Sequence, residues 1–250
     1  MKKINYLIVL CLLFFWTSCT KKQYKVFSVE GNRVEMDSTW NKDADPQLVA
    51  LVNTYKAELE AKMNIKIGTA IRPLIKNYPQ GLLSNFTADA IKTFGEQKWG
   101  NIDFAIMNNG GIRASLNEGD ITVGNIFEIY PFDNQVVLLE LPGKAVNELF
   151  SYLAINGGEA LSEGICFVIQ NKTIKTLMIG NKPFDENKNY RVATIDFLAE
   201  GNSGMTALKQ AVTYTDSELT LRDMMIGYVK EKNKQGQFID AELDNRISIE

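Results

Sequence analysis

The alternation of helical and extended hydrophobic patterns constrains the fold of this chain more than any other feature. Apolar residues at helical spacing predict an amphipathic helix over 46–63, which Asp45 caps and Pro46 begins. Similar patterns predict helices beginning at Ser84 and over 145–153 and 219–229, a short helix or turn over 122–130, and strands at 24–29, 65–71, 102–107, 135–141, 165–170, 174–179, 190–197 and near Ile247. Asn171-Lys172 suits a hairpin turn between two of these strands.

The same alternation predicts the domain organisation. No repeat or low-complexity segment interrupts it, and no linker rich in Pro, Ser or Gly follows residue 45. We therefore predict one mixed α/β (α+β) domain over 45–250.

Residues 1–18 have the pattern of a targeting segment. Lys2 and Lys3 precede an apolar run of about ten residues, which is too short to span a bilayer as a permanent helix. The small residues before Cys19 resemble a bacterial lipobox, which implies cleavage before Cys19 and attachment of lipid to it. The alternative is an ordinary secretory signal in which Cys19 is incidental. The lipobox predicts a lipid-anchored protein of the bacterial cell envelope, facing the periplasm or the cell surface, with residues 19–44 as a tether.

The composition excludes several classes of function. The chain contains no histidine, so these residues hold no Ser-His-Asp or Cys-His catalytic group and no histidine metal site. Acidic residues do not cluster at metal-ligand spacing, so the chain is expected to need no cofactor of its own. Without the two lysines of residues 1–18, 25 of the 27 basic residues stand against 30 acidic ones, a net charge of −5. No basic stripe is present, so nucleic acid is not an expected partner.

The cysteines predict no disulfide framework. Cys11 leaves with the targeting segment and Cys19 carries the lipid. Cys166 lies in an apolar run and is predicted to be a buried small hydrophobic residue.

Three polar or glycine-rich loops, at 108–113, 131–134 and 197–204, follow apolar segments. Each alone fits turn chemistry, since Asn-Gly pairs form turns and glycines supply positive φ, as Gly201 and Gly204 can. Together they offer the chemistry of a ligand site. They contain an arginine that can bind carboxylate or phosphate, two aromatic rings that can enclose a planar base, and polar side chains that can bind sugar hydroxyls: Arg113, Phe132, Phe197, Asn134 and Ser203.

Four segments together resemble the C-terminal domain of bacterial 5′-nucleotidases, a family that includes the UDP-sugar hydrolases. They are SNFTADAI (84–91), NNGGIR (108–113), GDITVGNIFEIYPFDN (119–134) and TIDFLAEGNSGM (194–205). The motifs keep their order and approximate spacing over 46–248. The resemblance implies the layered fold of that domain, with helices packed on mixed β-sheets, and a role in holding the nucleoside part of a substrate.

The resemblance also assigns site residues. Phe132 and Phe197 match the two phenylalanines that stack on the base, Asn134 matches an asparagine that contacts the ligand, and Arg113 matches the arginine that binds the phosphate. The full predicted substrate-binding set is Asn109, Gly110, Gly111, Arg113, Phe132, Asn134, Phe197 and Ser203. The alternative is that both phenylalanines are core residues and that Arg113 forms a surface ion pair.

The sequence departs from the family pattern in two ways. The metallophosphatase domain of full-length members, with two divalent metals and a catalytic histidine, has no counterpart in these residues, so the chain is expected to be inactive alone. Ser203 stands where the family has aspartate, Met205 where it has an aromatic residue, and Asp133 where glycine is common. Lys76 only partly replaces upstream arginines of some members. These differences imply a weaker grip on a nucleotide or nucleoside.

Three functional hypotheses follow. The chain is the nucleotide- or nucleoside-binding domain of a split 5′-nucleotidase-type hydrolase, completed by a separate metallophosphatase subunit at the same membrane. Alternatively, it is a stand-alone lipoprotein that binds nucleosides or nucleotides without hydrolysis. In the third, it is a structural remnant that keeps the family fold and has lost the ligand.

Overall fold

The computed structural model describes residues 25–250 and divides the chain after Ala50 into two compact units. The predicted targeting segment and the predicted lipidation site Cys19 lie outside the described residues. In the first unit, residues 25–37 contain no regular structure, so the strand predicted over 24–29 is wrong where the chain is described. A 3₁₀ helix follows at Ser38–Asp43, capped by Asp37, whose Oδ1 accepts from Thr39 N at 2.9 Å.

The boundary between the two units falls within the first α-helix, and helices and strands alternate along the chain after it. The helices are α1 (Pro46–Met63), α2 (Leu82–Trp99), α3 (Val123–Ile129), α4 (Gly143–Asn156), α5 (Asp196–Ala199) and α6 (Leu221–Lys234). The strands are β1 (Lys66–Ala70), β2 (Phe104–Met107), β3 (Gly119–Thr122), β4 (Gln135–Pro142), β5 (Ala160–Leu161), β6 (Ile165–Gln170), β7 (Thr173–Ile179), β8 (Lys182–Pro183), β9 (Asn189–Ile195), β10 (Thr213–Thr220) and β11 (Ile247–Ile249).

The second unit contains three sheets, of which the two larger ones are mixed and the pair of β1 and β3 is antiparallel. The largest has five strands in the order β10-β4-β9-β2-β5, in which β2 and β9 are parallel and the other pairs antiparallel. A four-stranded sheet has the order β11-β6-β7-β8, and β1 pairs with β3. Helix α4 joins the two larger sheets through a chain of edge-to-face rings: Phe150 lies 5.6 Å from Phe104 of β2 and 5.1 Å from Phe167 of β6, all fully buried.

The helix bounds at the start of the chain match the prediction. Helix α1 begins at Pro46 and ends at Met63, and Asp45 Oδ1 accepts from Gln47 N at 2.8 Å. Its predicted apolar face, however, contains no buried residue, and Tyr55 is 67% exposed. Within residues 25–250, we find no helix with the length and apolar character that crossing a membrane requires.

The predicted hairpin is confirmed, because Asn171 and Lys172 both adopt positive φ between β6 and β7. Cys166 was predicted to be buried, but the structure shows it only partly buried. It lies on the outward side of β6, where the buried residues alternate with partly exposed ones. Strand β10 escaped prediction because it is an edge strand whose residues are mostly exposed and polar.

The topology brings the three polar loops to one side of the five-stranded sheet, where the ends of β2 and β9 and the start of β4 lie next to one another. This side is called the loop edge of the sheet below. Strands β2 and β9 run parallel, so the loops that leave Met107 and Ile195 emerge on the same side. Strand β4 runs antiparallel to β9 with Val136 opposite Ile195, so the loop entering β4 lies at that side too. Segments far apart in sequence therefore meet where strand ends coincide.

Candidate functional site

A cavity of about 310 Å³ lies at the loop edge of the sheet and is lined by residues of all three loops. Its lining consists of Asn108, Gly110, Gly111, Phe132, Asn134, Phe197 and Ser203. Six of the eight residues predicted from sequence are among them, and Asn109 and Arg113 are not. No lining residue carries a charge, so the cavity suits a ligand that is largely neutral where it is enclosed.

The two phenylalanines are exposed within this cavity. Phe132 is 49% exposed and Phe197 39% exposed. The alternative that they are core residues is therefore wrong. Each exposed ring leaves apolar area in water that a planar ligand would cover, at about 25 cal/mol per Å².

The glycine loop is shaped by space rather than by unusual backbone angles. Residues Asn109–Gly111 form a 3₁₀ turn, in which Gly111 N donates to Asn108 O at 3.0 Å. A Cβ on Gly111 would collide with Met107 Cε and meet Asn108 Oδ1 at 3.0 Å. Only glycine therefore fits at residue 111 without moving its neighbours.

Asn108 is the lining residue that the sequence prediction missed. Its Nδ2 donates to Ser203 Oγ at 3.2 Å, which joins the glycine loop to the late loop. Its Oδ1 is buried and has no hydrogen-bond partner within the described chain. A buried acceptor left without a donor is unfavourable by about 1–3 kcal/mol.

Asn109 supports the loop from inside and is only 1% exposed. Its Oδ1 accepts from Ser84 Oγ of α2 at 2.6 Å, and its backbone N donates to Glu159 Oε2 at 2.5 Å. Sequence cannot separate Asn108 from Asn109, because both are asparagines after the same strand. Their tertiary partners decide which one lines the cavity.

Two charged side chains hold the glycine loop from behind. Lys76 Nζ donates to Asn109 O at 3.0 Å and to Ile112 O at 2.5 Å. Burial raises the pKa of Glu159, while the Asn109 N–H and the charge of Lys76 act in the opposite direction. Lys76 thus binds the carbonyls of the loop instead of reaching the cavity.

Arg113 is exposed at the end of the same loop and does not line the cavity. Its Nη1 donates to Gly110 O at 3.1 Å, and its backbone N donates to Ile129 O at 2.8 Å. The ion pairs of residues 25–250 do not include Arg113, so the surface ion pair considered above is not observed.

The loop that carries Phe132 is held by helix α6. Arg222 forms an ion pair with Asp133 and donates from Nη1 to Pro131 O at 3.3 Å. The backbone N of Leu221 donates to Asn134 O at 2.8 Å. The negative charge of Asp133, which stands where glycine is common in the family, is therefore balanced by Arg222.

The Phe197 loop, which consists of the single-turn helix α5 and the residues after it up to Gly204, is held largely by its own residues. Phe197 N donates to Asp196 Oδ1 at 2.6 Å, and Asn202 Nδ2 donates to Phe197 O at 2.8 Å. Farther along, Tyr152 OH donates to Ser203 O at 2.7 Å. Met205 is fully buried, so its replacement of an aromatic residue changes core packing and not the cavity lining.

The late loop also contains the positive φ angles expected of its glycines. Gly201 has φ +80° and Gly204 has φ +78°. A Cβ on Gly204 would collide with the hydroxyl of Tyr152. Both conformation and space therefore require glycine at residue 204.

Known proteins resemble this chain in sequence. A family model described as "5'-nucleotidase, C-terminal domain" matches residues 65–210. Protein UshA of Yersinia enterocolitica is 24% identical over 214 residues, which cover 83% of this chain and 38% of that protein. Protein UshA of Escherichia coli is 25% identical over 191 residues, which cover 75% of this chain and 35% of that protein. The chain thus spans little more than a third of these relatives.

Solved structures show the same fold. The 5'-nucleotidase precursor from Thermus thermophilus superposes with a TM-score of 0.69 at 24% identity, covering 84% of this chain and 44% of that chain. The NAD nucleotidase of Haemophilus influenzae superposes with a TM-score of 0.62 at 20% identity, covering 83% and 42%. These superpositions confirm the predicted layered fold of helices on mixed sheets.

Proposed function

Because this chain belongs to the 5′-nucleotidase C-terminal domain family, we propose that it is the nucleotide- or nucleoside-binding domain of a split 5′-nucleotidase-type phosphoester hydrolase. A separate metallophosphatase polypeptide would supply the catalysis. The single observation that supports the proposal best is the pair of half-exposed phenylalanines in one uncharged cavity. Stacking of a base on aromatic side chains contributes about 1–3 kcal/mol per base.

The polar groups of the cavity suit the rest of a nucleoside. Asn108 lines the cavity and would offer its amide group to the ligand. Asn134 and Ser203 line the same cavity and offer an amide and a hydroxyl to the sugar. The glycine loop allows the ligand to approach the backbone at Gly110 and Gly111.

Arg113 would bind the phosphate at the mouth of the site. It is exposed, and its Nη1 donates to the backbone oxygen of Gly110, a residue that lines the cavity. A guanidinium has five N–H donors, so this contact leaves several for phosphate oxygens. A nucleotide would then place its base among neutral groups and its phosphate beside a positive charge.

The two divalent metals of full-length family enzymes do not fit the residues described. Between residues 25 and 250, no group of three or more His, Cys, Asp or Glu is placed to hold a metal ion, and the 250 residues contain no histidine. For this reason we assign no hydrolytic step to this chain. The predicted lipid at Cys19 would keep it in the cell envelope, facing the periplasm or the cell surface, beside its catalytic partner.

The second candidate function is that of a stand-alone lipoprotein that binds nucleosides without hydrolysing nucleotides. The absence of charge among the lining residues favours this role. Ser203 stands where the family has aspartate, and its hydroxyl oxygen accepts a hydrogen bond from Asn108 Nδ2. The late loop therefore offers the ligand a neutral hydroxyl in place of a carboxylate.

The binding proposal is tested by comparing three ligands on the full-length protein in detergent. Equilibrium dialysis should show binding of adenosine and AMP and none of ribose 5-phosphate, because the base supplies the stacking. Arg113→Gln should weaken the binding of AMP by about tenfold to hundredfold and leave that of adenosine unchanged, since a charged hydrogen bond contributes about 1.5–3 kcal/mol. Equal binding of all three ligands would contradict the role of Phe132 and Phe197.

The split-enzyme proposal is tested with the metallophosphatase from the same cells. Adding the nucleoside-binding chain should lower the KM of the metallophosphatase for AMP, and adding the Phe132→Ala variant of that chain should leave the KM unchanged. An unchanged KM with the wild-type protein would contradict the partnership and favour the stand-alone role.

A further inference from the structure

We propose that Arg222 is a positioning residue, which holds Phe132 in the orientation that receives the base. The inference rests on the proposed function, because it concerns the same cavity. It names a residue outside the cavity lining and outside the motifs that carry the family resemblance.

Arg222 contacts the residues on either side of Phe132 in the sequence. Its guanidinium donates to Pro131 O and forms an ion pair with Asp133, the residues that immediately precede and follow Phe132. The next residue, Asn134, accepts at its backbone oxygen from Leu221 N at 2.8 Å. The first two residues of α6 therefore hold residues 131, 133 and 134.

The guanidinium is itself fixed by packing. Its Cζ lies 4.3 Å from the centre of the Phe127 ring of α3, within the range of a cation–π interaction. The Arg222 side chain is 13% exposed, whereas that of Asp133 is 80% exposed. The arginine is thus a rigid anchor, and the aspartate is the exposed residue that it restrains.

The difference in exposure between the two side chains indicates that the ion pair positions the loop more than it stabilises the fold. Ion pairs with one well-exposed partner contribute little to the free energy of unfolding, so the pair is poorly explained as a stabilising contact. Ordering a loop before the ligand arrives does improve affinity, because less conformational freedom is lost on binding. Arg222 also balances the charge of Asp133, which would otherwise repel a phosphate.

The chain offers a control for the loss of an arginine ion pair. Arg72 forms an ion pair with Asp240 at 2.5 Å and donates to Ala241 O at 2.5 Å, so it combines a carboxylate and a neighbouring carbonyl as Arg222 does. Neither Arg72 nor its partners line the cavity. The Arg72 side chain is 44% exposed against 13% for Arg222, so Arg72→Gln controls for the loss of an arginine ion pair and its carbonyl contact, and not for the loss of a buried guanidinium.

The experiment combines a ligand-free readout with a binding readout on the full-length protein. Phenylalanine is replaced by a fluorinated analogue, and the ¹⁹F resonance of Phe132 is assigned by its loss in Phe132→Leu. We expect Arg222→Gln to shift or broaden this resonance and to weaken adenosine about threefold to tenfold. AMP should weaken more than adenosine, because Asp133 is left unpaired. Arg222→Lys should restore the binding only in part, since an ammonium cannot reproduce the planar fork.

Asp133→Asn removes the pair from its exposed side, so it tests the inference even where Arg222→Gln folds poorly. It should shift the Phe132 resonance and weaken adenosine, whereas Arg72→Gln should do neither. An unchanged resonance and unchanged affinity in Asp133→Asn and Arg222→Gln would overturn the inference. If the wild-type protein binds no adenosine, the proposed function fails, and the ¹⁹F resonance still shows whether Arg222 orders Phe132.

Discussion

The two aromatic loops of the cavity present equivalent rings but are held in different ways. Phe197 is held by Asp196 and Asn202, both within five residues of it, through hydrogen bonds to its own backbone. The Phe132 loop is held by Arg222, which is 91 and 89 residues away from Pro131 and Asp133 in sequence. The backbone of Phe197 is therefore held within its own loop, and Tyr152 and Asn108 contact that loop only farther along, at Ser203. The Phe132 loop depends on the packing of α6 against it.

The difference has a physical consequence. Local bonds to the backbone involve short side chains that lose little freedom when the loop forms. A long-range ion pair depends on the tertiary fold and on the ionic strength. We therefore expect the Phe197 loop to respond to changes of local backbone geometry and the Phe132 loop to respond to charge and salt.

The largest expected effect comes from the backbone of the Phe197 loop. Gly204→Ala should lower the free energy of unfolding by about 2–4 kcal/mol, because the new Cβ meets the Tyr152 hydroxyl at a positive φ. Gly227→Ala is the control, since nothing lies within 4 Å of a Cβ there and the residue is inside α6. It should stabilise the protein by about 0.5–1 kcal/mol. Chemical denaturation measures both, and equal effects would contradict the requirement for glycine at residue 204.

The next effect tests whether the two rings are equivalent for the ligand. Phe132→Ala and Phe197→Ala should each weaken adenosine by about tenfold to hundredfold, because each removes one stacking surface of about 1–3 kcal/mol. Both rings are exposed, so the substitutions should leave the melting temperature nearly unchanged. Calorimetric titration with adenosine measures the affinities. A loss in one variant only would show that a single ring carries the base.

Salt should distinguish the supports of the two loops. Raising NaCl from about 0.1 M to about 1 M shortens the Debye length from about 10 Å to about 3 Å, so the partly exposed Arg222–Asp133 pair weakens. Adenosine has no charge, and its affinity should nevertheless fall by about twofold in the wild-type protein.

Matched variants isolate this response to salt. Arg222→Gln should show no such dependence, whereas Asn202→Ala should keep it. Isothermal titrations at the two salt concentrations supply the comparison, and identical salt dependence in all three proteins would break it.

The pH dependence of the glycine loop is the smallest effect. Burial raises the pKa of Glu159 above its ordinary value of 4.5. An acid whose pKa rises on folding contributes most to stability below its unfolded pKa and loses that contribution as the pH rises through the folded pKa. Glu159→Gln stays neutral and retains an acceptor for Asn109 N–H. The free energy of unfolding of this variant, relative to the wild type, should therefore be higher at pH 7 than at pH 4.

Thermal and chemical unfolding at several pH values measure this difference. A difference that falls as the pH rises would contradict the role of burial at Glu159.

The sequence predicted well what local pattern determines. Helix α1 has the predicted bounds because Asp45 and Pro46 mark its start, and the hairpin at Asn171 and Lys172 follows from its turn residues. Six of the residues predicted to bind substrate line one cavity, because motifs that follow strands meet where the ends of those strands lie at the same side of a sheet. Binding of a ligand by these residues stays a prediction.

What the sequence could not predict depends on tertiary contacts. Asn108 and Asn109 differ only in their partners, so which of them faces the cavity cannot be read from the motif. Arg222 belongs to no motif, and its role follows from the packing of α6 beside α3. The exposed face of α1 shows the same limit, since amphipathic spacing does not say whether a partner covers it.

The central claim is that the two aromatic loops form a nucleoside site. Calorimetric titration of adenosine into the full-length protein tests it most directly, with Phe132→Ala, Phe197→Ala and Arg72→Gln alongside. We predict binding by the wild type and by Arg72→Gln, and a loss of tenfold or more in both phenylalanine variants. Absence of binding by the wild type, or binding that survives both phenylalanine substitutions, would contradict the claim.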